Sequence, residues 1–98
     1  MIGLSEEEIK GKILHNIARK RQQYINRRDA VKGFPSHMIK EALSALDNIV
    51  KEGLLLPFKK GECVGVNISQ KSEVERLIRI FIETRFAKRY ERNSADKS

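Results

Sequence analysis

The sequence predicts a mainly helical α+β domain, and three observations carry that reading. Three long segments and one short one space their apolar residues three and four apart, the period of a helix with one buried face. Between the third and fourth of these, a Gly stop, two short apolar runs and a Lys59-Lys60-Gly61-Glu62 turn read as a β-hairpin. The chain has 98 residues, 40% of them hydrophobic, which suits one domain near the lower limit of a self-sufficient core. Aromatics are few and Trp is absent, so that core falls mainly to Ile, Leu and Val.

The first helix begins at an S-x-x-E capping box, Ser5 with Glu8, and Glu6 to Glu8 suit the positive end of its dipole. Ile9, Ile13 and Ile17 form its stripe, widened by Leu14 and Ala18, while Arg19, Lys20 and Arg21 occupy the last turn. Gly11 inside it costs about 1 kcal/mol relative to Ala. Tyr24-Ile25 reads as a short extended or turn segment. Asn26 then caps a short second helix with a small apolar face of Ala30, Val31 and Phe34, closed by Gly33 and Pro35.

Ser36 is placed to cap the third helix, whose apolar face is Ile39, Ala42, Leu43, Leu46, Ile49 and Val50. Gly53 fits the position that ends it. In the hairpin, Leu54, Leu56 and Phe58 point one way, and Pro57 restricts the first strand to an edge. Val64, Val66 and Ile68 alternate with Cys63, Gly65 and Asn67, the pattern of a half-buried two-stranded ribbon. A second capping box, Ser72 with Glu75, starts a long C-terminal helix over about 72–92, with Val74, Leu77, Ile78, Phe81 and Ile82 as its stripe. The same azimuth continues as Arg85, Lys88, Arg89 and Arg92, and residues 93–98 read as a disordered tail after a single domain of residues 1–92.

From Ile9 to Ile68 the chain resembles the winged helix-turn-helix superfamily, most like small archaeal and bacterial regulator-type modules. The residues that carry the resemblance are Ala42-Leu43-x-x-Leu46-x-x-Ile49-x-x-x-Gly53-Leu54-Leu55 and the hairpin ending Val64-Gly65-Val66-Asn67. The resemblance implies a three-helix core, a two-stranded hairpin wing and the long C-terminal helix. It implies a fold more directly than a ligand, because the superfamily includes protein-binding and RNA-binding members as well as DNA-binding ones. The third helix is about a turn longer at its N-terminal end than is usual, Pro35 lies in the turn before it, and the wing is short.

The net charge of +7 favours an anionic partner, duplex DNA foremost. The resemblance implies a transcriptional regulator with the third helix in a major groove, where His37, Lys40, Glu41 and Ser44 reach base edges. The same face also reads as a solvated helix surface, because residues 33–58 hold two lysines against three carboxylates. Positive charge concentrates instead between Arg19 and Lys32, six cations against Asp29. Arg19 to Arg21 complement a helix dipole; Arg27 and Arg28, at a helix start, are placed for phosphate. Lys59 and Lys60 at the hairpin tip suit phosphates too, although lysines there also discourage edge-to-edge aggregation.

Ile82, Phe86 and Tyr90 lie near one edge of the last helix, an aromatic contact surface for a homodimer. Two alternatives stay open: a protein-interaction module using that helix, and a structured-RNA binder using the basic surface. His15 and His37 are isolated, Cys63 is the only cysteine, and no Gly-rich phosphate loop occurs. The expectation is therefore a non-enzyme without cofactor or metal. Without a signal pattern or a membrane-length apolar run, the chain reads as soluble and cytoplasmic.

Overall fold

Helix α1 (Glu6–Arg19) is the element on which the others assemble. The computed structural model describes the backbone of residues 5–97 and the side chains of residues 5–84. The expected capping box is present: Ser5 Oγ accepts from the Glu8 backbone N–H at 3.1 Å, and the Ser5 N–H donates to Glu8 Oε1. Ile9, Ile13, Leu14 and Ile17 are buried, the last three nearly completely. Chain order then runs β1 (Ile25–Asn26), α2 (Arg27–Ala30), α3 (Ile39–Lys51), β2 (Leu55–Phe58), β3 (Cys63–Val66) and α4 (Lys71–Lys97). α4 takes in the segment 93–97, read from the sequence as a tail. The architecture is mostly helical with one small antiparallel sheet.

The sheet has three strands rather than the two of a simple hairpin, in the order β1-β3-β2. Ile25 faces Val64 and Asn26 faces Cys63, while Leu55 faces Val66 and Phe58 faces Cys63. The short extended stretch before α2 therefore closes the second side of β3. That changes β3 from a half-buried ribbon to a central strand, with Cys63, Val64 and Gly65 all buried. Gly65 is required there, since a Cβ would collide with the Gln23 carbonyl oxygen and the Phe58 ring. Pro57 lies on β2, at the sheet edge, as its missing N–H demands. Leu54 does not side with Leu56 and Phe58: it precedes the strand and joins Leu55 in the core, whereas Leu56 is 42% exposed.

α3 buries Ala42, Ala45, Leu46 and Ile49. It ends in a Schellman turn, with Leu54 N–H donating to the Ile49 carbonyl, Gly53 N–H to the Val50 carbonyl, and Gly53 at φ +82°. Ser36 does not cap it. Residues Ser36–Met38 form one 3₁₀ turn closed by Met38 N–H on the Pro35 carbonyl at 2.8 Å, and α3 begins only at Ile39. Ser72 likewise lies inside α4, because a 3₁₀ turn at Ile68–Gln70 leads directly into that helix. Asn67 organises this junction: its Oδ1 accepts from Ser69 N–H and its Nδ2 donates to the Gly53 carbonyl at 2.7 Å.

α1 packs against α4, α3 and α2. Gly11 marks the closest approach, where a Cβ would collide with the Leu77 carbonyl oxygen and the Phe81 side chain. The residue that weakens the isolated helix is the one that lets α4 reach it. Lys10 and Asn16 also sit on the buried side of α1. Lys10 Nζ donates to Glu52 Oε2 at 2.7 Å and lies 3.3 Å from Glu6, so it ties α1 to the end of α3. The hydrogen bond to Glu52 raises its pKa above the ordinary 10.5, against an opposing contribution from burial.

Candidate nucleic-acid interface

Asn26 builds the start of α2 by accepting the Arg28 N–H on Oδ1 at 2.8 Å, as its position before the helix leads one to expect. The helix lasts only four residues, but it places Arg27 and Arg28 beside α3. A concavity of about 410 Å³ lies between them, floored by Val31, Ile39 and Leu43 and rimmed by Arg27, Arg28 and Glu62. Arg27 spans the junction. Its Nη2 donates to Asp47 Oδ1 on α3 at 2.7 Å, and its backbone N–H donates to the Glu62 carbonyl at 3.1 Å. Much of its charge is thus answered within the chain. Arg28 is exposed and, among the described residues, makes no ion pair.

His37, Lys40, Glu41 and Ser44 are all exposed, the first on the 3₁₀ turn and the others along α3. Lys40, Ser44 and Asp47 follow one another at helical spacing, so the polar face of α3 leads directly to Arg27. The hairpin turn holds three consecutive residues at positive φ, Lys59 at +51°, Lys60 at +58° and Gly61 at +91°. Only the last is free of the left-handed penalty of about 1 kcal/mol that a side chain brings. Lys59 is not simply projecting: its Nζ lies 5.2 Å from the centroid of Tyr24, which stacks on Phe58 at 5.0 Å. Lys60 is exposed and, among the described residues, has no such partner.

The structure therefore brings Arg27 and Arg28 together with Ile39 and Leu43 of α3 and with Glu62 after the hairpin turn, and it places Lys59 in an aromatic cluster; His37, Lys40, Glu41, Ser44 and Lys60 do not line this concavity. Ile82 is half-buried on α4. Phe86 and Tyr90, like Arg85, Lys88, Arg89 and Arg92, lie outside the described residues. Asp47 was missed by sequence reading, since an acidic residue on a helix gives no hint of a partner twenty positions away. His15 packs half-buried with its ring 5.7 Å from Phe81, and Cys63 is buried in β3.

A second, more apolar surface lies between the sheet and α4. It is a groove of about 730 Å³ lined by Ile17, Leu56, Phe58, Val66, Val74 and Ile78, with Ile68 at its edge 83% exposed. No described helix is long and apolar enough to cross a membrane. No protein-family model, curated protein or solved structure matches the chain.

Proposed function

We propose that the chain is a winged helix-turn-helix module that binds duplex DNA and acts as a transcriptional regulator. The observation that carries this reading is the element order α1-β1-α2-α3-β2-β3 with β3 central, which leaves the polar face of α3 uncovered beside the start of α2. In this reading α3 lies in the major groove. Lys40, Glu41 and Ser44 face base edges, His37 reaches from the preceding turn, and Arg28 and Lys60 grip phosphates on either side. Arg27 acts chiefly as the strut that fixes α2 against α3, because Asp47 holds its guanidinium.

Fluorescence anisotropy with mixed-sequence duplex DNA across a salt series tests this. Affinity should fall steeply with salt, and replacing Arg28 and Lys60 by Ala should reduce the slope of log K against log salt by roughly 1 per residue. Salt-independent binding, or an unchanged slope in the double variant, refutes it.

The apolar groove between sheet and α4 favours a second reading, self-assembly through that surface. Its measurement is sedimentation at rising concentration. A dimer dissolved by Ile68→Ser supports it, and a monomer at all concentrations excludes it.

A further inference from the structure

On the other side of α2 lies a cup of about 260 Å³, where three elements distant in sequence converge. α1 supplies Lys12 and Arg19, the residue after it supplies Lys20, the exit of α2 supplies Lys32, and Phe81 of α4 forms a wall. Four cations line the cup against a single carboxylate, Asp29. Arg19, Lys20 and Lys32 are exposed, and their side chains make no ion pair or hydrogen bond with any described residue.

A neutral contact helps to hold the cup in shape. The buried Asn16 amide donates to the Ala30 carbonyl at 3.0 Å and the Lys32 carbonyl at 2.9 Å, which fixes the α2 exit against α1. The Lys12 ammonium lies 5.2 Å from the Phe34 centroid and 5.6 Å from that of Phe81. Gly33, at φ +92°, makes the left-handed turn at the α2 exit beside the end of the Lys12 side chain. A helix C-terminus carries roughly half a negative charge, which Arg19 in the last turn of α1 already answers. Lys20 and Lys32 exceed what the dipole of α1 requires.

We infer that this cup binds the phosphate group of a small soluble ligand, a phosphate monoester or a diphosphate. Cations approaching from two sides, the end of α1 and the exit of α2, match a multiply charged tetrahedral anion better than a planar, singly charged carboxylate. The volume falls just below the roughly 300–1,000 Å³ of pockets that enclose drug-sized ligands, so it suits the anionic group and little more. The inference stands apart from the DNA reading, since none of the residues assigned to that interface lines the cup.

The test is titration of the intact chain with inorganic pyrophosphate at low ionic strength, by calorimetry and by amide chemical shifts. One saturable site is expected, with shifts centred on Arg19, Lys20, Lys32 and Gly33. Affinity should drop about tenfold or more in the Arg19→Gln/Lys32→Gln double variant, and Lys20→Gln alone should weaken it in the same direction. Lys51→Gln should leave it unchanged. Non-saturating shifts spread over all exposed cations, or an equal loss in Lys51→Gln, would overturn the proposal. A parallel arm measures duplex DNA with the same double variant. Unchanged DNA affinity supports a small-ligand site, whereas a loss matching that for pyrophosphate assigns the phosphate to a nucleic-acid backbone and overturns the small-ligand assignment.

Discussion

The two concavities flanking α2 are built by opposite means. At its start, the chain is stapled by an ion pair between Arg27 and Asp47, whose side chains are 32% and 55% exposed. At its end, it is stapled by the buried neutral amide of Asn16 on two backbone carbonyls. An exposed ion pair is screened and contributes little, and its carboxylate cancels a cation that a ligand would otherwise meet. A buried amide stabilises without touching the charge balance. The consequence is that Arg27 is paired on one side of a four-residue helix, whereas Arg19, Lys20 and Lys32 on the other meet no ion-pair partner among the described residues.

The largest expected effect sharpens that contrast. Asn16→Leu keeps the volume but removes the donor, leaving the Ala30 and Lys32 carbonyls without it, and should lower unfolding free energy by about 2 kcal/mol in urea titrations. Asp47→Ala should lose less than about 1 kcal/mol. Equal losses from the two would break the comparison.

Lys10 lies between these cases, with its own side chain 11% exposed but Glu52 47% exposed. Lys10→Met should cost about 1 kcal/mol near neutral pH. Because the folded state raises the Lys10 pKa above 10.5, its contribution is fully present below that pH and disappears as pH rises through the folded value. Urea midpoints measured from neutral to strongly alkaline pH should therefore decline less steeply in the variant than in the parent above about pH 10.5. Identical pH profiles would show that the Glu52 contact stabilises nothing.

The smallest effect concerns binding. Asp47→Asn removes the charge that holds Arg27 while retaining the side-chain shape. Stability should change by about 0.5 kcal/mol or less, and DNA affinity should rise a few-fold at low salt, with the gain shrinking as salt screens it. Unchanged or weaker binding would mean that Arg27 faces no phosphate even when released.

What was legible in the sequence is what depends on neighbours within a few residues. The Ser5–Glu8 box, the Asn26 cap, the α3 stripe and its Gly53 stop all act within a turn or two, so residue type and spacing suffice to find them. β1 was not legible as a strand, because two residues cannot display a period. Its pairing exists only because β3 passes beside it. The Ser36 and Ser72 caps failed for a related reason: in each case a 3₁₀ turn leads into the helix, and the hydroxyl loses the capping position. Lys10 and Asn16 carried a readable signal, polar residues in register with Ile13, Leu14 and Ile17. Register alone, however, does not tell which carbonyl or carboxylate meets them.

The positive charge shows the same division. By itself the sequence determined that six cations crowd between Arg19 and Lys32, and that a polar helix face precedes a basic hairpin turn. It also determined where each helix face is apolar, because periodicity is a local property of the chain. Only the tertiary structure decided which cations remain unpaired. Packing α2 between α1 and α3 sent Arg27 to Asp47 on one side and Lys32 toward Arg19 and Lys20 on the other. Charge is written residue by residue, but electrostatic potential depends on distance, and the distances exist only after the helices have packed.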